Sequence, residues 1–301
     1  MKLTITKEQL IVGLQAVQNV VSSRTTLPIL SNVLLNAADG RLDLTATDLD
    51  VTVSCSVEAK VTKPGAVTLP VKRLFGIVRE LGSSELQLEV DEKNTCALEC
   101  GASFFRLNGI AAEEYPPVPN FKETRAVSLP QEKLRSMLRK TSYAISTDET
   151  RLVLNGIFFS VKDNKVTMVA TDGRRLALVD EEVEGLGEGT FEFIVPTKAV
   201  NELSRLLQGS GDVEVRPREN QVAFNLRGEG GIAVVVISKL VEGNYPNYRQ
   251  VIPTQVKERV GIQREELLQA LKRAEIMTNE KSNSVKMTFS KNNLAITANT
   301  P

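Results

Sequence analysis

Apolar and polar positions change period several times along this chain. The N-terminal LTITKEQLIVGL begins in strict alternation and then switches to leucines four apart, Leu10 and Leu14. Alternation predicts a strand with one covered face, and the i, i+4 spacing predicts the start of an amphipathic helix. The same switch recurs in VSLPQEKLRSML with Leu134 and Leu138, and in VGIQREELLQAL with Leu267 and Leu271. Each has a polar cap region between its strand and its helix. The predicted helices cover residues 7–20, 131–145 and 264–277. A second helical pattern follows the prolines of TLPVKRLFGIVREL and IVPTKAVNELSRLL, over residues 71–81 and 197–207.

These recurrences are in register. LDLTATDLD matches VTMVATDGR, and LAITAN is a third copy. Leu10 to Leu134 and Ala46 to Ala170 are both 124 residues apart, so two landmarks keep step without a gap. A fixed period of this kind is the signature of a repeated module. Each of the first two copies ends near a Tyr-Pro pair, Tyr115-Pro116 and Tyr245-Pro246. One module reads as strand, helix, several strands, helix, several strands. With short turns such as ADGR, KDNK and SKNN between alternating segments, the expected class is α+β, with antiparallel sheets covered on one face. The expected boundaries are 1–121, 122–250 and 251–301. The third copy carries only its first helix and first strands, so truncation is the favoured reading. It is expected to expose apolar surface and an open strand edge.

Composition narrows the chemistry. Of 301 residues, 42% are apolar and 25% charged, the balance of a globular protein with a sizeable core. No apolar run reaches membrane-spanning length and the N-terminus lacks a signal-peptide block, so the expected address is cytoplasmic. Histidine is absent. That removes a Ser–His–Asp triad and the commonest metal ligand, so Ser22, Ser23 and Ser146 are not read as nucleophiles. Cys55, Cys96 and Cys100 fit small buried residues rather than a zinc site, which needs four ligands. No metal site and no cofactor are expected. The glycine clusters GLGEG and GEGG match no phosphate-binding loop and read as hairpin turns. Asp48 and Asp172 of the repeated ATD triplets read as turn caps.

Charge adds one feature. Lys plus Arg equals Asp plus Glu at 37 each, but the predicted helices carry a cationic excess. Lys133, Arg135, Arg139 and Lys140 stand against Glu132, and Lys72, Arg73 and Arg79 against Glu80. A cationic helical layer on an acidic remainder could face a polyanion through phosphate contacts, without reading base sequence.

Taken together, the repeat and the segments RTTLPILSN, VATDGRRLA, KLVEGNYPNYRQVIP and EIMTNEKSNSV resemble the bacterial DNA polymerase III beta subunit, the sliding-clamp family. The resemblance runs from residue 1 to 301 and departs from the family where the third domain breaks off. It implies tandem clamp domains, with sheets outside and helices lining a head-to-tail homodimeric ring on double-stranded DNA. It implies a non-catalytic processivity factor whose partners are the polymerase alpha subunit, the clamp loader and other clamp-binding proteins. The residues it marks for DNA are Arg24, Arg73 and Lys198. For a partner-peptide cleft it marks Leu154, Thr171, Gly173, Arg174, Arg175, Leu176, Pro246 and Val251. For the dimer contact it marks Phe105 and Leu107 against Ile276 and Met277. Two alternatives stand beside it. One is a clamp relative that binds partner peptides without closing a ring, since the incomplete third domain is expected to close rings poorly. The other is a metal-dependent enzyme using Asp48 or Asp172, which is disfavoured.

Overall fold

The computed structural model describes all residues except 22–26, 83–84, 122–125, 163, 184–189, 209, 228–231, 279–283 and 299–301. Arg24, Asn299 and both glycine clusters lie outside the described residues. The chain divides into two compact units, Met1–Pro246 and Asn247–Pro301.

The first unit contains two copies of the module. The first runs β1 (Lys2–Thr6), α1 (Lys7–Val17), β2 (Asn32–Ala38), β3 (Arg41–Thr47), β4 (Val51–Glu58), β5 (Lys60–Lys63), β6 (Gly65–Pro70), α2 (Val71–Glu80), β7 (Glu85–Val90), β8 (Thr95–Cys100) and β9 (Ser103–Asn108). The second runs β10 (Val127–Pro130), α3 (Gln131–Thr141), β11 (Gly156–Lys162), β12 (Lys165–Thr171), β13 (Leu176–Glu182), β14 (Phe191–Pro196), α4 (Thr197–Leu206), β15 (Asp212–Pro217), β16 (Gln221–Arg227) and β17 (Ala233–Lys239). The helices begin where the period switches. Thr6 caps α1 with a reciprocal box: its hydroxyl accepts from Gln9 N at 3.2 Å, and Gln9 Oε1 accepts from Thr6 N at 3.3 Å. In α3 a proline holds that place, and the buried Gln131 is tied instead to Gly211 O (2.9 Å) through its amide and to Arg227 O (2.8 Å) through its side chain. The expected helix over 131–145 stops at Thr141, whose hydroxyl bonds back to Met137 O at 2.9 Å, and a 3-10 turn over Ser142–Ala144 follows.

All sheet pairings are antiparallel. One sheet has the order β5-β1-β7-β8-β9, another β13-β12-β11-β14, and the largest β10-β15-β16-β17-β4-β3-β2-β6. That eight-stranded sheet passes from one copy to the other at β17 and β4, with Val236 opposite Val53 and Val234 opposite Cys55. The two-residue turn between β2 and β3 places Asp39 and Gly40 at φ 49° and 74°, the geometry that matches strand twist. Helices pair within each copy, α1 on α2 and α3 on α4, and cover one face of the sheets. Leu10, Leu14, Leu134 and Leu138 are fully buried, in one continuous core with Leu42, Leu88, Val200 and Phe224. Cys55, Cys96 and Cys100 are in no disulfide and are buried in it, and burial pushes the Cys55 and Cys96 thiols up to about 11 and about 12.

The second unit consists of α5 (Arg264–Glu275) and the hairpin of β18 (Lys286–Ser290) and β19 (Asn293–Thr297). It repeats the opening of the module. Its leucines 267 and 271 are only half-buried, because a single helix on two strands has little to close around. Among the described residues, no helix is long and apolar enough to cross a membrane.

Candidate peptide and nucleic-acid interfaces

The repeated ATD triplet ends a strand in each copy and makes the same turn in both. Asp172 Oδ1 accepts from the amides of Arg174 (2.9 Å) and Arg175 (3.0 Å), and Thr171 Oγ1 accepts from Gly173 N at 3.0 Å and donates to Arg175 O at 2.7 Å. Asp48 Oδ1 likewise accepts from Asp50 N (3.1 Å) and Val51 N (2.8 Å). These are turn-capping roles. The amides of Arg175 and Arg174, and then the Arg175 guanidinium, hold the Asp172 carboxyl down at about 2. No group of three or more His, Cys, Asp or Glu residues could hold a metal among the described residues.

Around the Asp172 turn the fold brings together most of the residues marked for a cleft. Gly173 has φ +87°, and a Cβ there would lie 3.2 Å from an Arg151 guanidinium nitrogen. Arg175 bonds Asp172 Oδ2 at 3.0 Å and lies over the Tyr143 ring, 5.8 Å from its centroid. Leu154 is nearly buried, with its carbonyl accepting from Ser146 N at 3.1 Å, and closes a short 3-10 turn that leaves Leu152 65% exposed. The Tyr245 hydroxyl faces the Thr171 amide and Pro246 follows it. Burial pushes that phenol up to about 12, against the pull of the amide. In the first copy the Tyr115 hydroxyl accepts from Thr47 N at 3.1 Å and so latches the end of the ATD strand, whereas the buried Tyr245 hydroxyl of the second copy makes no hydrogen bond among the described residues. Val251 belongs to the second unit and is 69% exposed. Sequence reasoning missed Arg151, Tyr143 and Tyr245. The signal lay in comparing copies, since the positions matching Tyr143 and Arg151 in the first module are Asn19 and Leu27.

The residues marked for DNA separate. Arg73 is exposed on α2, beside Lys72. Lys198 sits at the start of α4 and reaches across to the first module, where Nζ donates to Asp48 Oδ2 and to Val20 O (3.4 Å). Its charge is thus shared with an acid. Arg205, on the same helix, donates to Gln15 O (2.9 Å) and Ala16 O (2.6 Å) while paired with Glu202 at 2.6 Å. It caps the C-terminal end of α1, whose own last turn carries no basic residue. Lys239 adds a third bridge, to Asp50 at 3.0 Å.

The residues marked for a dimer contact also differ. Phe105 and Leu107 lie on β9, the edge strand of its sheet. Leu107 is 2% exposed, turned into the core, and Phe105 is half-buried. The exposed aromatic of that strand is Phe104, which alternation sends to the other face, with Arg106 5.4 Å from its ring centroid. Ile276 and Met277 are exposed.

Tandem α+β modules joined through a shared antiparallel sheet, each with a helix pair on one face, define a clamp-type scaffold. Residues 1–119, 128–247 and 249–301 match the family models for the N-terminal, central and C-terminal domains of the DNA polymerase III beta subunit. The beta sliding clamp of Chlamydia pneumoniae is 34% identical over 299 residues, covering 99% of this chain and 80% of its own. That of Escherichia coli K12 is 35% identical over 303 residues, covering 100% and 81%. The crystal structure of the Bacillus subtilis DNA polymerase sliding clamp superposes with a TM-score of 0.94 at 31% identity, over 100% of this chain and 81% of that one. A sliding clamp from Bartonella birtlesii, crystallised bound to griselimycin, gives 0.88 at 38% identity, over 98% and 80%. The chain belongs to the DNA polymerase III beta-subunit family, the sliding clamps, which are non-catalytic processivity subunits of DNA replication.

Proposed function

We propose that this chain encircles duplex DNA with its helical faces inward and tethers the replicative polymerase, the clamp loader and other partners through the surface around Gly173. The cationic excess of the helices supports this orientation. Arg73 with Lys72 on α2, and Arg135, Arg139 and Lys140 on α3, are exposed and, among the described residues, make no ion pair. Cations of this kind meet phosphates without fixing a register, so the protein slides. Arg24 takes the same role, and Lys198 a lesser one because Asp48 shares its charge. The ring closes as a head-to-tail homodimer, with the β9 edge carrying Phe105 and Leu107 set against Ile276 and Met277 of the partner subunit. The domains follow the boundaries 1–121, 122–250 and 251–301, and the protein works in the cytoplasm, beside the replicating chromosome.

One observation carries the tethering half. An Arg151 guanidinium nitrogen lies 3.2 Å from where a Cβ on Gly173 would stand, Arg174 and Arg175 follow that glycine in the chain, and Leu152 and Tyr143 are exposed. Leu154, Thr171, Leu176 and Pro246 line the same surface in this reading. Such a site takes a short peptide with apolar anchors and carbonyl or carboxylate groups for the guanidiniums. Tethering then raises polymerase concentration at the primer end by linkage alone. The direct test is loading with a clamp loader onto nicked circular and linear DNA. The expected result is retention on the circle and loss from free ends. Equal loss from both would leave a peptide-binding relative that closes no ring.

A further inference from the structure

The two modules close differently at one corner. In the first, Gly109 N donates to Asn94 O at 2.9 Å and Ile110 N to Thr68 O at 3.1 Å, with Thr68 N returning a bond to Ile110 O at 3.0 Å. The chain leaving β9 thereby seals the edge of β6 against the turn between β7 and β8. A Cβ on Gly109 would meet Thr68 O at 2.5 Å and Asn94 O at 2.7 Å, so any other residue there would force this backbone to shift. In the second module, Leu240 N donates to Asn220 O at 2.9 Å and Val241 N to Ile194 O at 3.0 Å. The pattern is identical, but the glycine is now a leucine. Among the described residues the return bond from Ile194 N is not made.

The second corner is thus held by two backbone bonds where the first has three, and the edge of β14 is left without the return bond. A groove of about 1040 Å³ runs between β14, the turn at 217–220 and the segment 240–245. One wall is β14, the terminal strand of its sheet. Ile194 points its carbonyl outward to Val241, so alternation also turns the amide and carbonyl of Glu192 away from β11 and into the groove. The other wall is apolar, formed by Leu240 and by Tyr245, whose ring stacks on Phe158 with centroids 5.0 Å apart. Three carboxylates line the rim, Glu192, Glu219 and Glu242, all exposed. The single cation, Arg218, lies over the Phe121 ring, 4.6 Å from its centroid.

We propose that this groove is a second docking site, sharing only Tyr245 with the Gly173 surface, for an extended cationic segment of a partner protein that adds as a strand to the open edge of β14. An open strand edge recruits another strand through main-chain hydrogen bonds, and the flanking pockets select alternate side chains. The acidic rim selects Lys or Arg on the outward positions, and the Leu240–Tyr245 wall selects apolar residues between them.

A fluorescein-labelled peptide of four Lys-Val repeats tests this by anisotropy against the full chain, at low and at 0.15 M salt. Saturable binding is expected, with backbone shifts by NMR confined to 190–194, 217–220 and 240–245. The Glu-Val counterpart should bind at least tenfold more weakly. The double reversal E192K/E242K should weaken the Lys-Val peptide at least tenfold, with thermal unfolding reporting that the variant is folded. Methylating alternate peptide amides should do the same without touching the protein. Equal binding of both peptides, indifference to N-methylation, or shifts centred on Gly173 would each overturn the proposal.

Discussion

The Asp48 and Asp172 turns are one local structure put to two uses. Both aspartates cap their own backbone. Both turns place their next residue in the left-handed region, Leu49 at φ 79° and Gly173 at φ 87°. In the first module the outer carboxylate oxygen is taken by Lys198 of the second, so the turn becomes part of a junction. In the second module the same oxygen is taken by the neighbouring Arg175, and the turn stays open beside an exposed leucine and tyrosine. A repeated element is thus tied into the junction of the first two modules in one copy and closed on its own neighbour in the other. The glycine sits on the open side. At the junction a leucine holds the strained φ, and the capping bonds and Lys198 hold the turn around it.

Four measurements probe how far the two copies differ. The largest effect is expected at the corner where the copies diverge. Gly109→Ala pushes a methyl into two backbone carbonyls that cannot move aside, and should cost about 3 kcal/mol in urea unfolding. Leu240→Ala at the matching position should cost less. Equal costs would mean the two corners are closed alike.

Next comes the junction itself. Arg205→Ala leaves the carbonyls of Gln15 and Ala16 uncapped and strands Glu202, which is 8% exposed. A loss of about 2 kcal/mol is expected, partly restored by adding Glu202→Gln. No restoration in the double variant would show that the carbonyl caps, and not the stranded acid, set the cost.

A smaller change, of opposite sign, is expected at Leu49. The side chain is 45% exposed, so Leu49→Gly gives up little burial and relieves the positive φ. Unfolding should move up by about 1 kcal/mol. A drop would show that the Leu49 side chain contributes packing that outweighs its backbone strain.

The smallest effect is pH-dependent. The folded Asp172 carboxyl is depressed to about 2 from an ordinary 3.8, so its stabilising contribution is complete above the ordinary value and fades as pH falls toward 2. Melting curves of Asp172→Asn and the unaltered chain should therefore lie apart at pH 5 and converge on acidification. Curves that stay parallel would remove the turn-capping role.

Much of the fold was legible in the chain because the modules are built from local periodicities. Leucines four apart mark α1, α3 and α5, and the helices begin within a residue of where the period switches. The ATD triplets were legible as turn caps, since an aspartate at a strand end has its own backbone amides in reach. The surface around Gly173 was legible in part. Residues near the turn could be named, but Arg151, Tyr143 and Tyr245 arrive from other elements. Lys198 carries the opposite lesson: a cation on a basic helix looked free to meet phosphate, and the fold gave it a carboxylate.

By itself, then, the sequence determined the module, its period and the identity of its elements, because hydrophobic spacing and capping act over a few residues. Which strand edges meet was decided only by the tertiary structure. That choice runs β17 onto β4, and bridges β6 to Ile110 by two backbone bonds where β14 has one to Val241. The reason is physical. Edge pairing and cross-module ion pairs depend on how closely backbones distant in sequence approach in three dimensions, which spacing along the chain does not encode.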